Sequence, residues 1–206
     1  MPKISISILN ADYGHVQDYV DKVSNADIIQ FDVMDGHFVG NLSMGPAMVE
    51  SIKTNLEKEV NMMVTDPSKF VSAMAKAGAK RYIFHVEVKE DKNKVINLIR
   101  KEGMQVGIAI SMKTPIKKII PFLKKVDMII IMPITPGFGG QEFDPKVIDK
   151  IKAVRKVSDI HIQVDGGLNY ENSKLVVEAG ADDLLLGSFL INQKDPRKMV
   201  ELLKKL

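Results

Sequence analysis

Eight short runs of continuously apolar residues recur along the chain: Ile4–Leu9, Ile28–Asp32, Val60–Val64, Tyr82–Val86, Gln105–Ile110, Met128–Met132, His161–Val164 and Asp183–Leu186. They do not alternate apolar with polar, as half-solvated strands do. The pattern therefore predicts parallel strands covered on both faces. Helical patterns lie between them. In 66–79 (DPSKFVSAMAKAGA), Phe70, Met74 and Ala77 recur at spacings of three to four and make one apolar stripe; 91–103 (DKNKVINLIRKEG) is a second such stretch. Helix starts carry Thr114-Pro115, Asp144-Pro145 and Asp195-Pro196, and Gly78, Gly103 and Gly180 stand where C-terminal caps belong. Eight strands, each followed by a helix, close most simply into a (β/α)8 TIM barrel, an α/β fold, with residues 1–206 forming a single domain. An open doubly wound sheet fits less well. Its edge strands are less uniformly apolar, and no G-x-G-x-x-G follows the first strand.

Composition narrows the function. Hydrophobic residues make up 45% of the 206, enough for one sizeable core. The net charge is +3, and the lysines are spread along helical faces. The densest basic stretch, KKIIPFLKK (117–125), reads as the solvated face of an amphipathic helix. Aromatic residues, 6% of the chain, are not interleaved with basic ones, so neither pattern suggests nucleic acid. Cysteine is absent, which excludes thiolate nucleophiles, thiolate metal sites and disulfides. The opening MPKISISILN reads as a strand, and no apolar run reaches membrane-spanning length. A soluble cytoplasmic protein with no membrane partner and no organic cofactor is expected.

In a barrel of this kind the chemistry sits at the C-terminal ends of the strands. Those ends deliver Ser7 and Asn10; Asp32, Met34 and Asp35; Asn61 and Met63; His85 and Glu87; Met132 and then TPGFGGQEF (135–143); Asp165 in VDGG; and Gly187-Ser188. The glycine-rich loops after strands 6, 7 and 8 are neighbours and can bring backbone N–H groups onto one anion, which points to a phosphate. Asp32 and Asp165, on strands 2 and 7, stand on roughly opposite sides of the mouth. Two facing carboxylates suit removal of a proton from one face of a substrate and delivery to the other, which inverts a stereocentre beside a carbonyl. Asp35, in MDG, is expected to shape its turn, and His37 to support that loop. Met34, Met63 and Met132 offer a polarizable apolar lining for the reacting centre.

At these residues the sequence resembles the ribulose-phosphate 3-epimerase family. SISILNADY, FDVMDGHFVGNLSMGP, FHVE, TPGFGGQEF, VDGG and GADDLLLGS all fall in family order, essentially end to end. The resemblance implies that Asp32 and Asp165 exchange the C3 proton of ribulose 5-phosphate. It also implies that Gly137, Phe138, Gly139, Gly140, Gly166, Gly167, Gly187 and Ser188 hold the phosphate, that Ser7 touches the sugar, and that the protein forms a homo-oligomer. No Asp-x-Lys-x-x-Asp follows strand 2, which disfavours the decarboxylases of the same superfamily. D-allulose 6-phosphate is the alternative substrate, and a non-catalytic sugar-phosphate-binding paralogue the alternative class.

The family pattern breaks at two positions. Its metal-binding His two residues before the first catalytic Asp is Gln30 here, and the His of its D-x-H-M-M motif is Asn61, in EVNMM. The resemblance implies a divalent metal with Asp32 and Asp165 as carboxylate ligands. Amides in place of imidazoles predict loss of tight transition-metal binding and at most weak holding of a hard ion such as Mg²⁺. Gln30 and Asn61 are expected to contact substrate instead, by donating N–H to the developing oxyanion.

Overall fold

The computed structural model describes residues 1–206. Its eight strands are β1 (Lys3–Ser7), β2 (Ile28–Met34), β3 (Glu57–Met63), β4 (Arg81–His85), β5 (Gln105–Ser111), β6 (Met128–Met132), β7 (His161–Asp165) and β8 (Asp183–Leu186). All pair in parallel in sequence order and β8 closes onto β1, giving the (β/α)8 barrel. The helices around it are α1 (Val16–Lys22), α2 (Pro46–Ser51), α3 (Val71–Lys76), α4 (Lys92–Lys101), α5 (Val147–Arg155), α6 (Tyr170–Glu178), α7 (Ser188–Ile191) and α8 (Pro196–Leu203). None is long and apolar enough to cross a membrane.

Local chemistry explains most of these boundaries. Asp91 and Asp195 cap α4 and α8 by accepting the N–H of Asn93 and Lys198, and Asn169 and Asn172 cap each other in a reciprocal box at the start of α6. Gly78, Gly103 and Gly180 take left-handed φ values of 96°, 75° and 109° just past helix ends. One expectation fails. The stretch 117–125 is not an amphipathic helix but two 3-10 turns, Ile116–Lys118 and Ile120–Phe122. Pro121 has no N–H to continue a helix and its ring would strike the preceding turn.

The main core, a cluster of 50 buried side chains, lies between the barrel wall and the helices. Each buried Ile, Leu or Val there contributes about 1.5–3 kcal/mol relative to exposure. The barrel interior is divided. On the β4–β6 side it is apolar, filled by Ile83, Ala109, Met128, Ile130 and Met132. Gly107 belongs to this half, since a Cβ there would stand 2.6 Å from Ile83 Cγ1. The other half is polar. Arg81 reaches Glu57 at 2.6 Å and both Glu59 and Asp183 at 3.5 Å. Gln163 donates to Glu59, Ser5 and Asp183, and Ser5 donates to Asp183 at 2.7 Å. Burial, with the charge of Asp183, pushes the Glu59 carboxyl up to about 7, against the pull of Arg81 and the two glutamines. Strands β3 and β4 therefore begin earlier than the apolar pattern suggests, because their first residues are charged groups enclosed with their partners.

Candidate active site

A cavity of about 230 Å³ opens at the C-terminal ends of the strands. Ser7, Asp32, Met34, Met63, Met132, Asp165 and the loops after β6, β7 and β8 all line it. Alternation along each strand explains this: Asp32 and Met34 on β2, Met63 on β3 and Asp165 on β7 point inward, above the interior layers that Gln30, Glu59 and Gln163 occupy. The structure thus brings together the aspartates, the methionines and Gly137, Phe138, Gly139, Gly140, Gly166, Gly167, Gly187 and Ser188.

Gln30 and Asn61 sit differently from expectation. Both are fully buried, and neither is among the side chains that line the cavity. The Gln30 amide donates to Glu59 Oε1 at 2.8 Å and more weakly to Gln163 Oε1 at 3.4 Å, while Asn61 Nδ2 donates to Asp32 Oδ1 at 3.2 Å. The Gln30 amide nitrogen is therefore taken up by Glu59 and Gln163, and that of Asn61 donates to Asp32. Gln30 Oε1 and Asn61 Oδ1 are the atoms left without a partner.

Asp32 is held at both oxygens, since Ser7 Oγ donates to Oδ2 at 2.7 Å. Burial pushes its carboxyl toward the protonated form, against the bonds from Ser7 and Asn61 and the nearby His85. Asp165 is raised well above the usual range, first by burial and then by the charges of Asp32 and Glu59. The two carboxyls share one desolvated space in which both do not readily ionise together.

The loops show why glycine is needed in VDGG. Gly167 has φ +65°, and a Cβ there would lie 2.7 Å from the backbone nitrogen of Phe143; one at Gly166 would meet Ile134 at 2.5 Å. The loop after β7 therefore packs directly on the loop after β6. That loop is also tied to itself, because Gln141 donates to the carbonyls of Thr135 and Phe138 and accepts from the N–H of Thr135.

Asn10 was expected at this mouth, but not its partner, and Asn41 and Ser43 were not expected there at all. Asn10 Nδ2 donates to Ser188 Oγ at 2.8 Å, joining the loops after β1 and β8. Ser43 clamps the end of β2 by donating to the Asp32 carbonyl and accepting from the N–H of Met34. Asn41 donates to the Gly137 carbonyl at 2.8 Å. The signal for Asn41 and Ser43 was two short polar side chains in the loop that follows β2. Asp35 accepts the N–H groups of His37, Phe38 and Thr65 and thereby shapes its turn. His85 and Glu87 lie in a second cavity of about 590 Å³, which shares Phe138 and Gln141 with the first. His85 Nδ1 is 3.7 Å from Glu87 Oε2, beyond hydrogen-bond range.

No group of three or more His, Cys, Asp or Glu side chains is placed to hold a metal ion.

Comparison with known proteins agrees with this arrangement. Residues 3–191 match the model of the ribulose-phosphate 3 epimerase family. The chain is 38% identical to ribulose-phosphate 3-epimerase of Bacillus subtilis over 97% of each chain. It is 41% identical to the enzyme of that name from Chlamydia muridarum, over 96% of this chain and 91% of that one. In fold it is similar to 3-hexulose-6-phosphate synthase of Salmonella typhimurium, with TM-score 0.77, 17% identity and coverage of 98% and 97%. The chain belongs to the ribulose-phosphate 3-epimerase family.

Proposed function

We propose that this barrel interconverts D-ribulose 5-phosphate and D-xylulose 5-phosphate by proton transfer at C3. The observation that carries the reading is the convergence of Asp32 from β2 and Asp165 from β7 on one cavity rimmed by three glycine-bearing loops. One aspartate removes the C3 proton, made acidic by the neighbouring ketone, from one face. The other returns a proton to the opposite face. Burial favours the protonated form of both carboxyls, which suits a pair that alternates one proton between two roles. The loops after β6, β7 and β8 supply backbone N–H groups for the phosphate, with the hydroxyl of Ser188 among them. Met34, Met63 and Met132 exclude water from the carbon that changes configuration. The family relatives above are named for ribulose phosphate, which favours the pentulose over allulose 6-phosphate and catalysis over binding alone.

The family implies a divalent metal. The side chains at positions 30 and 61 do not fit the kind of ion that selects imidazole, because they are amides whose nitrogens already donate to Glu59 and Asp32. No step above passes through such an ion.

The test is to incubate the protein with ribulose 5-phosphate in deuterium oxide and follow C3 by proton NMR. Formation of xylulose 5-phosphate with deuterium at C3 supports the reading. Absence of both conversion and exchange overturns it.

A further inference from the structure

We infer that this barrel carries no resident divalent ion at its mouth, and that Ser7 and Asn61 occupy the positions around Asp32 where one would bind. The inference rests on the epimerase reading for its mechanistic meaning, but not for its geometry.

An ion at this mouth needs lone pairs that are free and aimed together. Asp32 offers only the second lone pair of each oxygen. Its Oδ2 accepts the Ser7 hydroxyl at 2.7 Å and its Oδ1 accepts the Asn61 amide at 3.2 Å, so a proton donor faces each oxygen. The Gln30 amide nitrogen is turned down the barrel axis, onto Glu59 and Gln163. Beyond this half-engaged carboxylate stand the Asp165 carboxyl and two neutral amide oxygens, Gln30 Oε1 and Asn61 Oδ1. Zinc, iron and manganese-like ions favour imidazole or thiolate over such a set. Mg²⁺ gives up its water reluctantly, so such a set holds it weakly at most and not as a resident ion. His85, a further imidazole at this end of the barrel, is fully buried near Asp32 and beside Glu87, and it lines the second cavity and not the first.

The two replacements act together. A lone change at position 30 would leave an imidazole ligand at position 61, beside Asp32. A lone change at position 61 would leave a ligand at position 30. With an amide at both, each nitrogen finds a carboxylate inside the protein, and the polar half of the barrel closes on itself. Asn61 is then a positioning residue. It fixes the Asp32 carboxylate through an N–H bond, where a metal bond would otherwise fix it.

The first measurement is metal content. The purified chain is equilibrated separately with Zn²⁺, Mn²⁺ and Mg²⁺, passed through a desalting column and analysed by mass spectrometry for bound ion. Less than about 0.1 ion per chain is expected for all three, and one tightly held equivalent of any of them at this mouth overturns the inference. The same assay on the Gln30→His/Asn61→His double variant is expected to give about one Zn²⁺ per chain. A folded double variant that takes up no zinc overturns the assignment of the exclusion to these two amides. C3 deuterium exchange is measured separately in EDTA. Exchange that stops in EDTA and returns with an added ion overturns metal independence. No exchange under any condition overturns the epimerase reading and leaves the metal content as a separate result.

Discussion

Asn41 Nδ2 lies 2.8 Å from the carbonyl oxygen of Gly137, which ties the loop that follows β2 to the glycine-bearing loop that follows β6 and lines the cavity. The bond joins residues 96 apart in sequence. It fixes where the glycine-rich loop rests, not what the aspartates do. Replacing Asn41 by Ala is expected to raise KM for the sugar phosphate about tenfold with kcat nearly unchanged, the loss of one hydrogen bond of roughly 1.4 kcal/mol. Steady-state kinetics on the variant checks it, and an equal fall in kcat would move Asn41 into the chemistry.

The aspartates should behave as two halves of one device. Asp32→Asn and Asp165→Asn are each expected to lower kcat by about 10³, the range in which positioned acid–base groups act. The diagnostic readout is isotope exchange. One variant should still exchange the C3 proton of one epimer, and the other variant that of the opposite epimer. Identical exchange patterns for both would argue for a single base.

Ser7 touches Asp32 directly, so its removal should act on turnover. Ser7→Ala deletes the 2.7 Å bond to Oδ2 and leaves Asn61 as the sole side-chain donor to that carboxylate. A fall in kcat of about tenfold, a shift in the acid limb of the pH–rate profile and little change in KM are expected. A change in KM alone would place Ser7 on the sugar and not on the base.

Arg81 is 3% exposed and faces Glu57, Glu59 and Asp183. Arg81→Leu removes the cation and leaves buried carboxylates without it, which should destabilise the fold by about 3–5 kcal/mol. Pairing it with Glu59→Leu should recover part of that loss, measured by urea unfolding.

Acid should loosen the turn after β2 by a defined route. Partial burial disfavours the Asp35 carboxylate, but the N–H groups of Thr65, Phe38 and His37 outweigh it and hold the carboxyl down to about 2, below its ordinary 3.8. Its contribution to stability is therefore complete above pH 4 or so and is lost as pH falls toward 2. Asp35→Asn should flatten this part of the stability–pH curve, by less than about 1 kcal/mol because solvent screens the site. A wild-type curve of unchanged slope in the variant would remove Asp35 from the account.

Much of this molecule was readable one strand at a time. Continuous apolar runs announced the barrel, because a strand covered on both faces has no need to alternate. Asp32, Asp165 and the glycine loops announced the mouth, because they are local motifs at strand ends. What was illegible depends on partners far away in sequence. Glu59 and Arg81 fell just outside the expected strands, since nothing near them says that Asp183 and Gln163 enclose them. The orientations of the Gln30 and Asn61 amides were misjudged for the same reason. Gln30 looked free to donate upward, whereas Glu59, 29 residues on and opposite it on β3, takes its N–H. The failure over 117–125 was of another kind, a local one. Pro121 was visible, and the lysine pattern around it was given too much weight.

The Gln141 side chain, bonded to Thr135 and Phe138 of its own loop, has a kinetic consequence. A loop already folded when the ligand arrives has little conformational freedom left to surrender, so association need not wait for it to order. Capture of the phosphorylated sugar should then approach the encounter rate set by diffusion and charge. Differences in residence time among related sugar phosphates would fall on dissociation instead, where the sugar's hydroxyls, and not its phosphate, decide how long it stays.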